Sequence, residues 1–216
     1  MKNRQDKISV VWDFNGTILD DVKTGLDAVN VLLERRSKPP ITDLAYYREV
    51  FGFPIREYYA RVGFDFTRES FDDVAPEWVR EYLLREKDAP LCPTVPEALR
   101  VLRDAGIPQY LISATEENML LGQIRCRGLE GYFKEIHGLD NIHANSKEAL
   151  IRSFVAGRKG RTVFFGDTEH DAFCARSAGA EVILIAAGHQ SKKKLQKTNA
   201  PVVDRAIQAA KIILGE

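Results

Sequence analysis

Four stretches of the chain carry side chains able to do chemistry together. Asp13-Phe14-Asn15-Gly16-Thr17 combines an acid, an amide, a glycine turn and a hydroxyl. Ser113 follows the aliphatic pair Leu111-Ile112, and Lys147 opens a stretch of helical pattern. Gly166-Asp167 closes an apolar run, with Asp171 four residues on. Asp13, Ser113 and Asp167 each fall at the carboxyl end of a predicted strand, where an open α/β sheet gathers its ligands. Acids brought into one crevice repel unless a cation sits among them, and an all-oxygen ligand set suits Mg²⁺. A lysine and backbone N–H groups beside that metal form a receptor for a phosphate dianion. A carboxylate held next to the phosphate can act as a nucleophile and form an aspartyl-phosphate. Each residue also has a plain structural use: a cap or turn for Asp13, a strand-end hydroxyl for Ser113, a solvated lysine at 147, a structural acid at 171.

The elements that must position these groups follow from hydrophobic patterning. Ile8–Phe14 reads as a buried strand stopped by Asn15-Gly16, and Asp20–Arg36 as a helix ended by Lys38-Pro39-Pro40. From Ile41 to about Asp88 the chain is rich in aromatics and helical in pattern, with breaks at Gly52-Phe53-Pro54 and Gly63-Phe64-Asp65. This stretch predicts a separate unit of four short helices. Strands and helices then alternate: helix Val95–Ala105, strand Ile107–Ser113, helix Glu116–Arg127, a weak strand Glu135–Gly138 and helix Ser146–Ala156. Strand Thr162–Phe165, helix Glu169–Ala178, strand Val182–Ile185, a weak strand Pro201–Val203 and helix Asp204–Leu214 follow, the last with Asp204 as N-cap. Such alternation predicts a doubly wound, mostly parallel α/β sheet with helices on both faces.

With the motifs in this order, the chain resembles the haloacid dehalogenase (HAD) superfamily. Asp13-Phe14-Asn15-Gly16-Thr17 is similar to its first motif, DxDGT, and Leu111-Ile112-Ser113 to its second. Lys147 in Asn145-Ser146-Lys147 is similar to the third, and Gly166-Asp167-Thr168-Glu169-His170-Asp171 to the fourth, GDxxxD. The resemblance spans essentially the whole chain. It implies a Rossmann-like core from residues 1–20 and 89–216, with a helical cap at 21–88, as in the phosphoglycolate phosphatase-like branch. It further implies that Asp13 is the nucleophile and that Asp13, Asp167, Asp171 and the backbone carbonyl of Asn15 hold Mg²⁺. Ser113, Lys147, Asn15, Gly16 and Thr17 would contact phosphate. Phosphatases of this family carry a second Asp where this chain has Asn15. That Asp protonates the leaving oxygen and then activates water, and an amide does neither. The phosphonatase branch uses a cap lysine, and no lysine lies within Ile41–Glu86. The dehalogenase branch uses no magnesium, against which Asp167 and Asp171 speak.

Composition bounds the function. The chain has 216 residues, with 31 Lys+Arg against 31 Asp+Glu, so it lacks the cationic surplus of a nucleic-acid binder. No run approaches the ~20 apolar residues that span a bilayer. Cys92, Cys126 and Cys174 are odd in number and show no CxxC spacing, which argues against a disulfide framework or zinc site and for a reducing cytoplasm. Cys126 and Cys174 read as small core residues, Lys192-Lys193-Lys194 as a solvated face. Arg48, Arg56 and Arg61 are read as solvent-facing or as reaching a substrate anion, and His170 as a surface residue or a substitute proton carrier. The expected function is a magnesium-dependent phosphatase acting on a small phosphorylated metabolite through an aspartyl-phosphate on Asp13. The alternative is a phosphate-binding regulatory protein on the same fold, raised by Asn15. Oligomeric state is not legible.

Overall fold

The structure, a computed structural model, describes residues 8–140 and 147–216. Six parallel strands form one sheet: β1 (Ile8–Trp12), β2 (Gln109–Glu116), β3 (Ile136–Leu139), β4 (Arg161–Gly166), β5 (Glu181–Ile185) and β6 (Val202–Val203). Their order is β3-β2-β1-β4-β5-β6, so the chain runs outward from β1 on one side and then crosses back to the other. The order therefore reverses between β1 and β4, where a doubly wound sheet opens a ligand crevice.

Strand residues alternate between two apolar layers. Val10, Trp12, Val163 and Phe165 face a cluster built with the helices α5 (Val95–Asp104), α6 (Glu117–Cys126) and α10 (Ala206–Leu214). Val11 and Phe164 face the opposite cluster, built with α7 (Lys147–Ala156), α8 (Glu169–Ser177) and the short α9 (Lys192–Gln196). Burial on both faces explains why the strands read as continuous apolar runs.

Four further helices enclose a third apolar cluster: α1 (Val22–Arg35), α2 (Leu44–Val50), α3 (Ile55–Arg61) and α4 (Phe71–Glu86). Val29, Leu32 and Leu33 of α1 pack with Tyr47, Tyr58, Tyr59 and Val74. Residues 41–88 thus hold three helices rather than four, because Phe71–Glu86 runs unbroken from the Ser70 N-cap. The two crossings into this unit lie side by side: Asp20 N–H donates to Pro90 O at 2.9 Å and Cys92 N–H to Ile18 O at 2.8 Å.

Other differences from the sequence reading have local causes. The last helix starts at Ala206, because Gln208 Oε1 accepts the Asp204 and Arg205 N–H groups and the Asp204 carboxylate instead pairs with Lys192. Lys192–Gln196 is helical, and its three lysines do not form one solvated face: Lys194 Nζ reaches the Glu49 and Phe51 carbonyls at 3.1 and 2.7 Å, at the end of α2. Cys126 is exposed, whereas Cys92 and Cys174 are buried, and all three are free thiols. Among the described residues no helix is long and apolar enough to cross a membrane.

The adjacent crossings predict that residues 22–88 are excisable. A chain with Asp21 joined to Ala89 through a short Gly/Ser linker should retain a cooperative thermal transition and the far-ultraviolet dichroism of an α/β protein. Excision of 41–86 alone should give a less stable product, because it bares Val29, Leu32 and Leu33. A molten product from the 22–88 excision refutes an independent core.

Candidate active site

Asp13 lies one residue beyond β1, its N–H donating to Phe165 O at 2.8 Å, so its carboxylate stands at the β1/β4 reversal. Asp167 lies one residue beyond β4, and Asp171 lies in the first turn of α8. Carboxylate oxygens of the three buried residues fall within 4.8 Å of one another. Lys147, buried at the start of α7, bridges Asp13 Oδ1 and Asp171 Oδ1, the latter at 2.6 Å.

Asp171 is fixed by a capping box. Its N–H donates to Thr168 Oγ1, while its Oδ2 accepts from the Thr168 hydroxyl at 2.7 Å and the Thr168 N–H at 3.0 Å. Asp167 is clamped from two loops: the Thr17 hydroxyl donates to Oδ1 at 3.2 Å and the His189 N–H to Oδ2 at 2.7 Å. Both loops need glycine there. Gly16 has φ +73°, and a Cβ on it would lie 2.3 Å from Asp167 Oδ2; one on Gly188 would lie 2.1 Å from the same atom.

Charge in this cluster is incompletely balanced. Burial, reinforced by Asp171 and Asp167 and opposed by Lys147, pushes the Asp13 carboxyl up to about 8. Burial and Asp171 push Asp167 up to about 6, against the pull of His189. Burial also penalises the Asp171 carboxylate, but Lys147 and Thr168 outweigh it and hold that group below the usual range. Lys147 is the converse case: burial disfavours its charge, and Asp13 and Asp171 more than restore it. Among the described residues, two raised acids beside one ammonium, with a third carboxylate to complete an all-oxygen set, fit a divalent cation.

Asn15 occupies a tighter network than its neighbours in sequence suggest. Its Nδ2 donates to Asp21 Oδ2 and to the Tyr82 hydroxyl, each at 2.8 Å. Its Oδ1 accepts from the Thr115 hydroxyl at 2.8 Å, with Ser113 Oγ 3.5 Å away. Ser113 is buried and donates to Thr115 Oγ1 at 3.0 Å. Gly16 and Thr17, expected to offer N–H groups to phosphate, give them to the chain: Gly16 to Leu19 O and Asp21 Oδ1, Thr17 to Phe14 O.

Asp21, Tyr82, Thr115 and His189 join the site without having been singled out from sequence. Asp21 accepts from Asn15, Gly16, Tyr82 and His189, and although burial opposes its charge, His189 keeps it below the usual carboxylate range. Burial likewise disfavours a charged His189, yet Asp21, Asp167 and Asp13 raise it to about 9. Its other ring nitrogen meets the Tyr47 hydroxyl of α2 at 2.7 Å. The only sequence signal was the run Leu19-Asp20-Asp21, in which Asp21 is an acid just before a helix.

His170 does not reach the cavity. It stacks on Phe53 and touches Cys174 Sγ at 3.4 Å, and burial depresses its protonation. Arg48 turns to the Gly188 and Ala187 carbonyls, Arg56 covers Phe66 and Arg61 donates to Val50 O. Residues 145 and 146 of the expected third motif lie outside the described residues.

Comparison with known proteins places the chain in one family. Residues 10–185 match the family described as haloacid dehalogenase-like hydrolase. A phosphoglycolate phosphatase of Caulobacter vibrioides is 26% identical over 191 residues, covering 84% of this chain and 80% of that protein. One from Xanthomonas campestris is 27% identical over 190 residues, covering 84% of each. Among solved structures, a hydrolase of the haloacid dehalogenase-like family from Streptococcus pneumoniae superposes with a TM-score of 0.78 at 17% identity, covering 95% of this chain and 97% of that one. A conserved haloacid dehalogenase-like protein from Agrobacterium tumefaciens also gives 0.78, at 19% identity and coverage of 97% and 98%. At these identities the structures show the common fold.

The raised carboxyls predict pH-dependent cation binding. At low pH a cation must displace protons from Asp13 and Asp167; once both groups are ionised, above about pH 8, it need not. The rise in melting temperature given by a divalent cation should therefore be small near pH 5.5 and grow up to about pH 8. A rise that is flat or falling across that range refutes this site.

Proposed function

The chain belongs to the haloacid dehalogenase-like hydrolases, and from that premise we propose that it is a magnesium-dependent phosphatase for a small phosphorylated metabolite. The observation that carries the proposal is Asp13 at the sheet's reversal point, bound to Lys147 and grouped with Asp167 and Asp171. The names of the relatives support a small phosphate ester as substrate. Asp13, Asp167, Asp171 and the Asn15 carbonyl would hold Mg²⁺, which supplies positive charge to the phosphoryl oxygens.

A phosphate entering beside Asp13 meets the Lys147 ammonium and the Ser113 hydroxyl. The Asp13 carboxylate attacks phosphorus in line with the leaving oxygen and becomes an aspartyl-phosphate. Water then attacks the same phosphorus and frees Asp13. The helical unit keeps bulk water from the first step. At the position of the usual acid–base group stands the Asn15 amide, whose two hydrogens are held by Asp21 and Tyr82 and whose oxygen accepts from Thr115. The same engagement supports a second reading, a protein that captures phosphate and turns it over slowly.

Asp13→Ala should remove phosphate release entirely, to the background of a metal blank. Asn15→Asp should raise turnover by ~10²-fold or more, the scale of a positioned acid–base group. The new carboxyl would face Asp21 Oδ2 at the distance the amide now spans, so the pair would share a proton and position 15 would be acidic near neutrality. In the unaltered chain a hydroxylamine-sensitive phosphoenzyme should accumulate. An unaltered chain, free of deamidated Asn15 by mass, that already matches the variant's rate refutes the assignment.

A further inference from the structure

We propose that the substrate is an aryl phosphate, the phosphate monoester of a small uncharged aromatic alcohol. The inference rests on the aspartyl-phosphate reading above and adds the identity of the leaving group. Two independent features carry it.

The first is the cavity beyond Asp13. Its volume is about 260 Å³. Small-molecule clefts generally start near ~300 Å³, so this one suits a phosphate and about one ring. Its walls include Phe51, Phe53, Ile55, Tyr58, Trp78 and Met119. The basic side chains lining it are Lys147 and His189, among the described residues, and both are already paired: Lys147 with Asp13 and Asp171, His189 with Asp21. No arginine lines it among those residues, since Arg48 is spent on loop carbonyls. A substrate carboxylate, or a second phosphate, would lose its water here and gain no counter-charge. A cationic group would fare no better, because Asp21 and Glu116 are saturated by donors of the protein itself. An uncharged ring would instead add to walls that already pack by ring contacts, such as Trp78 on Tyr82 and Phe51 on Tyr58.

The second feature is Asn15. Its amide hydrogens are held by Asp21 and Tyr82 and are not acidic, so the leaving oxygen departs without a proton from this position. An aliphatic alkoxide is about as basic as hydroxide, whose parent water has a pKa of 15.7, whereas a phenol titrates near ~10. A phenolate can leave unaided where an alkoxide cannot. In the reaction, an Asp13 oxygen forms the bond to phosphorus, the phosphorus–aryloxy bond breaks, and the phenolate carries off the electron pair and takes its proton from solvent. Water then attacks phosphorus, the Asp13–phosphorus bond breaks, and phosphate and a proton are released. That second step also lacks a base at position 15, so it is the slow one.

The test uses the full chain with Mg²⁺. Binding is measured with benzylphosphonate and 2-carboxyethylphosphonate, unhydrolysable counterparts of phenyl phosphate and phosphoglycolate. The aryl compound should bind at least ten-fold more tightly. Phenyl phosphate should give a burst of phenol equal to the enzyme concentration and then a slow phase, and phosphoglycolate should give no burst. Met119→Arg, which adds a cation at a half-exposed wall position, should cut the aryl preference ten-fold or more. Equal binding, reversed preference, binding of neither compound, or a preference untouched by Met119→Arg overturns the proposal. Aryl preference without any phosphoenzyme would uphold the ligand class and overturn the aspartyl-phosphate reading.

Discussion

Mutual repulsion of three buried carboxylates organises this molecule. With oxygens within 4.8 Å, each ionised pair costs about 3–4 kcal/mol at an effective dielectric of ~20. One ammonium, Lys147, offsets part of that cost by touching Asp13 and Asp171 together. Among the described residues Asp167 gains no lysine. It is held by the Thr17 hydroxyl and the His189 N–H, and two glycine positions leave it room. The loops after β1, β4 and β5 thus converge because these acids must be bonded and the sheet's reversal brings their strand ends together.

Asn15 extends the same electrostatic logic toward the helical unit. Its amide presents hydrogens to Asp21 and an oxygen to Thr115, so one residue ties the β1 loop to α4 through Tyr82 and to β2. A carboxylate there would meet the buried Asp21 carboxylate head-on. Asn15 and Asp21 therefore form a matched pair, a neutral amide hydrogen-bonded to a charged carboxylate that His189 balances.

The helical unit closes on the core through polar contacts around an aromatic interior. Lys194 and Gln190 bind the carbonyl of Phe51, Arg48 binds carbonyls of the loop after β5, and Tyr47 meets His189. Separate apolar clusters on either side of this seam leave each unit with its own core. The seam joins these polar contacts to two ring stacks, Phe51 on His189 and Phe53 on His170.

Much of this was legible in the chain itself. Apolar runs of strand length alternating with helical spacing determine a parallel sheet, and the positions just past its strands mark Asp13 and Asp167; Lys147 and Asp171 are legible as residues opening helices, while Ser113, read as a strand end, lies inside β2, which runs on to Glu116. Local pattern also marked residues 41–88 as helical, though not that Phe71–Glu86 would be one long helix. What only the tertiary structure decided is which distant groups become partners. Asp21, Tyr82, Thr115 and His189 stand 6, 67, 100 and 174 positions from Asn15 in a sequence whose local periodicity says nothing about them. Nor did pattern reveal that Lys194 would leave its basic run to cap α2, or that Arg48 would turn from the cavity. Periodicity encodes which face of an element is buried, a property of neighbours in sequence. Hydrogen-bond partners and charge balance across a crevice depend on loops from opposite ends of the chain meeting at one sheet edge, and that meeting exists only once the sheet has formed.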